Sequence, residues 1–232
     1  MSSIQRTLVI VMAACSLFAC RKKKDEIDPN ALSQITVMQG ITGVGKFDVY
    51  LSDSILLAEN LAYGQSINYR AVKTANYKIQ LYPAGNKQTR LIETAISLYP
   101  NRSYSVFLTV DDKKNAVILS TSDNLAVPAP GKSKVRLAIL SDLRKNATSN
   151  PFAVDVVIDK KTVYSNVKYR DLLSFIEVEA GERIVDIQLA GTGVSLLNGN
   201  PYKLDARNGQ IITIGLSGAV DNIGFTIYQN KL

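Results

Sequence analysis

Alternation of apolar and polar residues with a period of two constrains the fold of this chain more than any other feature, because it is typical of half-buried strands. In segment 47–51, Phe47, Val49 and Leu51 share one side, while Asp48 and Tyr50 share the other. No stretch shows a sustained helical period with a convincing cap. The pattern therefore predicts an all-β fold. The other alternating segments are 77–82, 104–110, 135–139, 154–158, 185–189, 212–216 and 225–227.

Short turn sequences separate these strands at the spacing expected for a β-sandwich. Gly, Pro, Asn or paired charges occupy 83–86, 99–102, 111–114, 180–182 and 207–209. Because such connections are short, we expect neighbouring strands to pair as antiparallel hairpins.

An internal repeat divides the chain into two similar halves. Asp48 recurs as Asp155 at an offset of 107, and Tyr63 recurs as Tyr169 at an offset of 106, with the apolar faces of the strands in phase. A period of about 100 residues is the size of a whole sandwich domain rather than of a solenoid unit. The sequence therefore predicts two tandem antiparallel β-sandwich domains, Ig-like or prealbumin-like.

The expected domain boundaries follow from this repeat and from composition. Segment 127–132 reads Val-Pro-Ala-Pro-Gly-Lys, which predicts a short, stiff linker because proline favours extended backbone. We place the first domain at 33–126 and the second at 133–232. Segment 20–32 is strongly charged at its start and lacks aromatic residues, which is typical of a solvated tether.

The first 19 residues are predicted to be a leader. The apolar run 7–19 is too short to span a bilayer as a helix and has the form of a secretory signal. Leu17, Ala19 and Cys20 resemble the lipobox of bacterial lipoproteins, although Phe18 is larger than the residue usual at its position. The resemblance implies cleavage before Cys20 and lipid attachment to its sulfur. The alternative is an ordinary signal cut, with Cys20 a simple residue of the apolar run.

The charged residues after Cys20 bear on location. The run Lys24-Asp25-Glu26 resembles signals that send some lipoproteins to the outer face of the outer membrane. The sequence thus predicts a lipid-anchored, surface-exposed protein in the outer membrane of a Gram-negative bacterium. A periplasm-facing anchor is the alternative. Cys15 lies in the leader, so the body would have no cysteine besides its anchor.

Charge and composition exclude several functions. The formal net charge is +7, but five of the 27 basic residues precede Asp25, which leaves 22 basic against 20 acidic residues in the body. A nucleic-acid binder normally carries a basic face on its folded domain, so we expect none here. The chain has no histidine, which excludes Ser/His/Asp triads and imidazole-based zinc sites. We expect no cofactor and no metal.

Several segments carry a resemblance to a known family: 48–51, 61–64, 77–81, 83–85 and 102–106 in the first copy and, more weakly, 155–158, 180–181 and the strand from 183 in the second. They resemble a bacterial family of exported proteins, the domain of unknown function DUF4397. The resemblance implies tandem β-sandwich domains on exported or lipid-anchored proteins and supplies no established activity. Members often carry a His-Ala-Ser-Pro-like loop before the Asp-Val-Tyr strand, where this chain has 39–41 and 141–143.

Two stretches resemble parts of functional sites, one a phosphate-binding loop and the other a catalytic carboxylate pair. Segment 40–46 fits the G-x-x-x-x-G-K part of a phosphate-binding loop, but Phe47 replaces the hydroxyl residue and a strand pattern follows. We interpret it as a glycine-rich loop between strands and expect no nucleotide. Glu177 and Glu179 share one side of a strand, about 7 Å apart by strand geometry. A carboxylate pair across a cleft hydrolyses glycosides, whereas neighbours on one exposed strand usually face solvent.

Three features remain as structural or recognition candidates. Asp48 and Asp155 begin equivalent strands, which favours loop-capping hydrogen bonds. Seven of the 11 tyrosines lie in the first copy, and tyrosine suits sugar or protein recognition, although most strand tyrosines simply pack on a sheet. Segment 146–151 is the candidate recognition loop of the second copy.

The sequence thus predicts a non-catalytic, lipid-anchored envelope protein that presents two β-sandwiches for recognition, adhesion or structural roles. A protein or glycan is the possible partner beyond the membrane itself. The alternatives are an accessory subunit of an outer-membrane glycan-uptake or adhesion complex, and a glycan hydrolase that uses carboxylates alone. Cys20 is the one residue to which the sequence assigns a functional rather than a structural role.

Overall fold

The computed structural model describes residues 26–43, 45–111, 113–140, 152–219 and 222–231. Within these ranges the chain forms strands joined by turns and loops, with no helix. Accordingly, no helix among the described residues is long and apolar enough to cross a membrane. The strands are β1 Leu32–Gln39, β2 Phe47–Leu51, β3 Ile55–Leu61, β4 Arg70–Lys73, β5 Asn76–Pro83, β6 Ile92–Ser97, β7 Ser103–Val110, β8 Ala116–Asp123, β9 Lys132–Ile139, β10 Val154–Ile158, β11 Lys161–Val167, β12 Ile176–Glu179, β13 Gly181–Leu189, β14 Tyr202–Ala206, β15 Ile211–Ala219 and β16 Asn222–Gln229.

The strands form four sheets of four strands, two sheets in each half of the chain. We name them sheet A (order β4-β1-β7-β8), sheet B (β3-β2-β5-β6), sheet C (β12-β9-β15-β16) and sheet D (β11-β10-β13-β14). Sheets A and B form a first sandwich and sheets C and D a second. The strand order is therefore the same in both halves, and the all-β, two-sandwich prediction is confirmed.

Each sandwich contains one parallel strand pair that the antiparallel prediction did not include. Strand β1 pairs with β7 in parallel, and β9 pairs with β15 in parallel, while every other strand pair is antiparallel. The difference arises because β1 and β7 are joined by a long crossover through sheet B rather than by a tight turn. Short turns predict hairpins correctly, but they say nothing about strands distant in sequence.

Each sandwich encloses its own apolar core. The first core joins inward residues of sheets A and B, such as Val37, Val106 and Leu81, all 0% exposed. The second joins sheets C and D through residues such as Leu137 and Ile187, also 0% exposed. These residues belong to the alternating series that the sequence analysis identified.

A third apolar cluster lies between the two sandwiches. Its members come from the opposite faces of sheets A and C, and they are nearly inaccessible to solvent. Sheets A and C are thus covered on both faces, which gives four layers in the order B, A, C and D. The central strands show the consequence, since burial in β7 and β9 is almost continuous instead of alternating. The cluster comprises Met38, Phe107, Ala138, Leu140 and Tyr228.

Two glycines permit the close approach of the sandwiches. A Cβ atom at Gly40 would lie 2.6 Å from Cδ1 of Leu140, and one at Gly215 would lie 2.8 Å from Cε2 of Tyr228. Both distances are too short for real contacts, so each neighbouring side chain occupies the space that a larger residue would need. The interface is therefore packed as closely as a domain core.

Candidate functional site

Two of the sequence candidates fall outside the described residues. Cys20, the predicted lipid-attachment residue, precedes the first described residue, and the candidate recognition loop 146–151 lies in the undescribed range 141–151.

The glycine-rich segment 40–46 connects β1 to β2, as the sequence predicted. Its described residues are fixed at both ends: the amide of Gly40 donates to the carbonyl of Leu108 at 2.9 Å, and the amide of Ala84 donates to the carbonyl of Lys46 at 3.0 Å. Phe47 is the first residue of strand β2. A phosphate-binding loop needs the amides of a following helix, so this segment has a different role.

Glu177 and Glu179 lie on β12, an edge strand of sheet C, and both are exposed. Oε1 of Glu177 accepts a hydrogen bond from the amide of Ala129 at 3.1 Å. Oε1 of Glu179 lies 3.4 Å from Nζ of Lys132. Both carboxylates thus sit on one strand and contact the segment that enters β9.

Asp48 and Asp155 make equivalent loop-capping hydrogen bonds, as predicted. Asp48 accepts the amides of Asn60 and Gly85, both at 2.8 Å. Asp155 accepts the corresponding amides of Asn166 at 2.8 Å and Gly191 at 2.9 Å. These two amides lower the pKa of Asp155, because hydrogen bonds to the carboxylate stabilise its charged form. Each aspartate therefore holds a bulge and a turn of its sheet in place.

The tyrosines of the first copy mainly form contacts and hydrogen bonds within the protein. Tyr50 and Tyr82 contact edge to face on the outer side of sheet B, with ring centroids 5.7 Å apart. Tyr82 is only 4% exposed and donates to Asp53. Tyr63 is 41% exposed, but its hydroxyl bonds to Ser217 of the second sandwich at 2.5 Å.

A buried ion pair crosses the interface between the sandwiches, and the sequence analysis missed it. Nη1 of Arg136, on β9, lies 2.5 Å from Oδ1 of Asp123, at the end of β8, and the two side chains are 2% and 0% exposed. Nη2 of Arg136 donates to Ser105 at 2.6 Å, and the guanidinium lies over the Phe175 and Phe107 rings at 4.2 and 5.3 Å from their centroids. The arginine of one sandwich is thus enclosed by groups from both.

Polar side chains around this pair complete a satisfied network. Tyr69 donates to Oδ2 of Asp123 at 2.5 Å and accepts from Nδ2 of Asn230 at 2.9 Å. Thr213 donates to Asn230 at 2.8 Å and accepts from Nε of Arg136 at 2.9 Å. Burial, and then the negative charge of Asp123, raise the pKa of Tyr69 well above its ordinary value of 10. The phenol therefore stays protonated and keeps donating.

Tyrosines at equivalent places of the repeat also cross the interface. Tyr63 of the first half bonds to Ser217, and Tyr169 of the second half donates to the carbonyl of Val110. The hydroxyl of Tyr228 donates to the carbonyl of Gln39 at 2.9 Å. The sequence repeat already showed that Tyr63 recurs as Tyr169. This recurrence was the one sequence signal that both tyrosines contact the other sandwich.

A groove of about 670 Å³ lies at one end of the first sandwich. We call it the end groove. Its volume lies in the middle of the range of small-molecule sites. Two grooves on the second sandwich, of about 360 and 350 Å³, lie at the lower end of that range. The walls come from the loop before β2, the end of β5 and the β7–β8 hairpin. The described lining residues are Ile41, Thr42, Gly45, Lys46, Phe47, Pro83, Leu91, Val110, Lys114, Asn115 and Ala116.

The end groove combines an apolar wall with a basic rim. Ile41 and Phe47 are 3% and 6% exposed and belong to the first core, so the groove adjoins the space between sheets A and B. Leu91 is 44% exposed at its mouth. Lys46 and Lys114 are both exposed, and neither forms an ion pair with a residue that the structure describes.

Strand β1 places the end groove away from the predicted tether. The tether joins β1 at Leu32, and β1 ends at Gln39, immediately before the loop that lines the groove. Eight residues of strand separate these points by about 25 Å. Among the described residues, no group of three His, Cys, Asp or Glu side chains is arranged to hold a metal.

A comparison with protein-family models supports the family resemblance that the motifs of the first copy indicated. Residues 33–145 match the model of a family described as "Domain of unknown function (DUF4397)", which confirms the family that the first copy resembles. Among solved structures, the chain is similar to the Bacillus anthracis TIE protein at 11% identity and a TM-score of 0.24. That match covers 82% of this chain and 34% of the other, so the chain spans about a third of that protein. No curated protein matches the sequence.

Proposed function

We propose that this chain is a non-catalytic, lipid-anchored protein of the outer membrane that holds a binding groove away from the lipid surface on a rigid pair of β-sandwiches. The observation that carries the proposal is the course of β1, which begins where the tether ends and finishes at the end groove. A lipid on Cys20 would leave this groove facing outward. Several acyl chains would be needed, since one chain gives only marginal membrane binding.

The roles of the carboxylates support a non-catalytic function. Asp48 and Asp155 cap turns, Asp123 neutralises a buried arginine, and Glu177 accepts a backbone amide. These groups are engaged in holding the fold. The end groove, by contrast, offers concave apolar surface and two lysines that form no ion pair with a described residue, which suits binding.

Replacing Cys20 tests the anchor. We expect Cys20→Ala to abolish labelling by radioactive palmitate and to move the protein from the membrane to the soluble fraction, because Cys20 would carry the lipid. Cys15→Ala is the matched control and should leave labelling and fractionation unchanged, since Cys15 lies in the predicted leader. Palmitate labelling that survives in Cys20→Ala would contradict the anchor.

The side of the membrane on which the protein lies is tested in cells that keep Cys20. With Cys20 acylated, a single Leu91→Cys variant carries one free thiol at the mouth of the end groove. A membrane-impermeant maleimide should label it on intact cells, because the groove faces outward in our proposal. Labelling that appears only after the cells are broken would place the protein on the periplasmic side.

A further inference from the structure

We propose that the end groove binds a single-chain amphiphile with a carboxylate head, that is, a fatty acid. The inference rests on the proposed function in taking this groove as the binding site, and it adds the chemical class of the ligand. Three properties of the groove support the inference. Its wall is continuous with the apolar core, its rim carries two lysines, and the backbone amides near it already form hydrogen bonds within the protein.

The wall of the groove fits a hydrocarbon chain. Ile41 and Phe47 belong to the core cluster, and Val110 and Ala116 pack against that cluster while remaining partly exposed. Leu91 adds apolar surface at the mouth. A chain that enters here would cover the exposed parts of these side chains, and burial of apolar surface is favourable in proportion to its area.

The rim fits one negative charge. Lys46 belongs to the loop before β2, and Lys114 to the turn between β7 and β8, so the two ammonium groups come from different elements that border one cavity. None of the described lining residues is acidic. Thr42 supplies a further hydrogen-bonding group at the rim, whereas Nδ2 of Asn115 already donates to Asp111 at 2.9 Å. A carboxylate at the mouth would therefore meet positive charge from two sides.

The backbone around the groove favours an acyl chain over a peptide. Extended peptides bind through main-chain hydrogen bonds to an open strand edge. Here the amide of Leu91 already donates to Leu81 at 2.8 Å, and that of Gly40 donates to Leu108 at 2.9 Å. The amide of Ala84 donates to Lys46. An acyl chain needs no such partners, whereas a peptide would bury its own polar groups unpaired.

Direct titration tests the inference. The full chain carrying Cys20→Ala, which lacks an acyl group of its own, is titrated with dodecanoate below its micellar concentration. We expect saturable binding at one site. Lys46→Gln and Lys114→Gln should each weaken binding by up to about fivefold, and the double variant by about tenfold, because the contacts are exposed ion pairs. Added salt should weaken binding further.

Controls separate this site from non-specific adsorption. Lys160→Gln, in a groove of the second sandwich, should leave dodecanoate affinity unchanged, and Leu91→Asp should reduce it by more than tenfold. Dodecyltrimethylammonium, which carries the same chain with the opposite charge, should bind at least tenfold more weakly than dodecanoate. Circular dichroism of each variant shows that the fold is retained.

Several results would overturn the inference: no saturable binding of dodecanoate, equal binding of the cationic amphiphile, or affinity that ignores both lysines. Tighter binding of an acidic apolar peptide than of dodecanoate would assign the groove to a protein partner instead. If any of these occurs while Cys20→Ala is released and Leu91→Cys is labelled on cells, the ligand class is wrong and the proposed function stands.

Discussion

Asp123→Ala is expected to lower the free energy of unfolding by about 3–5 kcal/mol, which is a large fraction of the stability of an ordinary domain. The substitution leaves the guanidinium of Arg136, only 2% exposed, without its counter-charge between the two sandwiches. Ser105 and Tyr69 lose the acceptor of their hydrogen bonds at the same time. Urea denaturation followed by circular dichroism measures the effect.

Two comparisons show whether the buried pair is responsible. Glu179→Gln removes the partner of Lys132 in an exposed pair and should change stability by less than about 1 kcal/mol. Arg136→Ala combined with Asp123→Ala should be less destabilising than the sum of the two single changes, because the second change removes a charge already unpaired. A loss below about 1 kcal/mol in Asp123→Ala would show that the pair is not buried in solution.

Tyr228→Ala is expected to destabilise the protein by about 3–5 kcal/mol, since it removes a large side chain that is 1% exposed. The ring packs against Gly215, where no side chain can fill the space that the tyrosine leaves. The carbonyl of Gln39 also loses its hydrogen-bond donor. Thermal or urea unfolding of the purified variant provides the measurement.

Tyr228→Phe and Tyr50→Ala are the matched controls. The first keeps the ring and removes one hydrogen bond, so its cost should be about 1 kcal/mol. The second removes a half-buried tyrosine from the outer face of sheet B, where it contacts Tyr82 and Lys87, and should cost about 1 kcal/mol as well. Equal losses in Tyr228→Ala and Tyr50→Ala would contradict a packed interface.

Local patterns predicted the sandwiches because each core depends on period-two alternation. The segment containing Val49 and Leu51 was predicted with the bounds that β2 has, and the segment containing Val154 with those of β10. Strand β11, at an edge of sheet D, was not predicted. Its sequence, KTVYSNV, and its burial do not alternate with a period of two.

The interface between the sandwiches was not predicted from the sequence, because each alternating strand was taken to have one buried face and one exposed face. Phe107 lies on the side of segment 104–110 that alternation predicts to be exposed, yet it is 0% exposed, as is Met38 on β1. Alternation in segment 135–139 likewise places Arg136 on the side opposite Val135 and Leu137, yet its side chain is only 2% exposed. Large apolar residues on both sides of a strand indicate that both faces are covered, and this signal was present in β1 and β7.

The end groove escaped for a different reason. Segment 40–46 was analysed only for its resemblance to a phosphate-binding loop. Its neighbours in the groove, Leu91 and Lys114, are distant from it in sequence. Only the pairing of β2 with β5 and of β7 with β8 brings these elements to one end of the sandwich. Sequence periodicity predicts which face of a strand is buried, but it does not predict which loops meet.

The interface has a consequence for function. A groove on one sandwich could move freely if the two domains were joined only by the proline-containing segment before β9. The described contacts instead hold that segment in place, since Lys134 donates to the carbonyl of Ala126 and Ala180 donates to that of Gly131. With the ion pair and the apolar cluster, they fix the direction in which the groove faces relative to the tether.

The distance between spin labels on the two outer sheets tests this rigid arrangement most directly. Lys87→Cys beside sheet B and Lys160→Cys beside sheet D, introduced together in a chain that also carries Cys15→Ala and Cys20→Ala, place one label on each sandwich. Pulsed electron resonance should give a single narrow distance distribution, unchanged when dodecanoate is added. A broad distribution, or several distances, would show that the sandwiches move independently and would contradict the account.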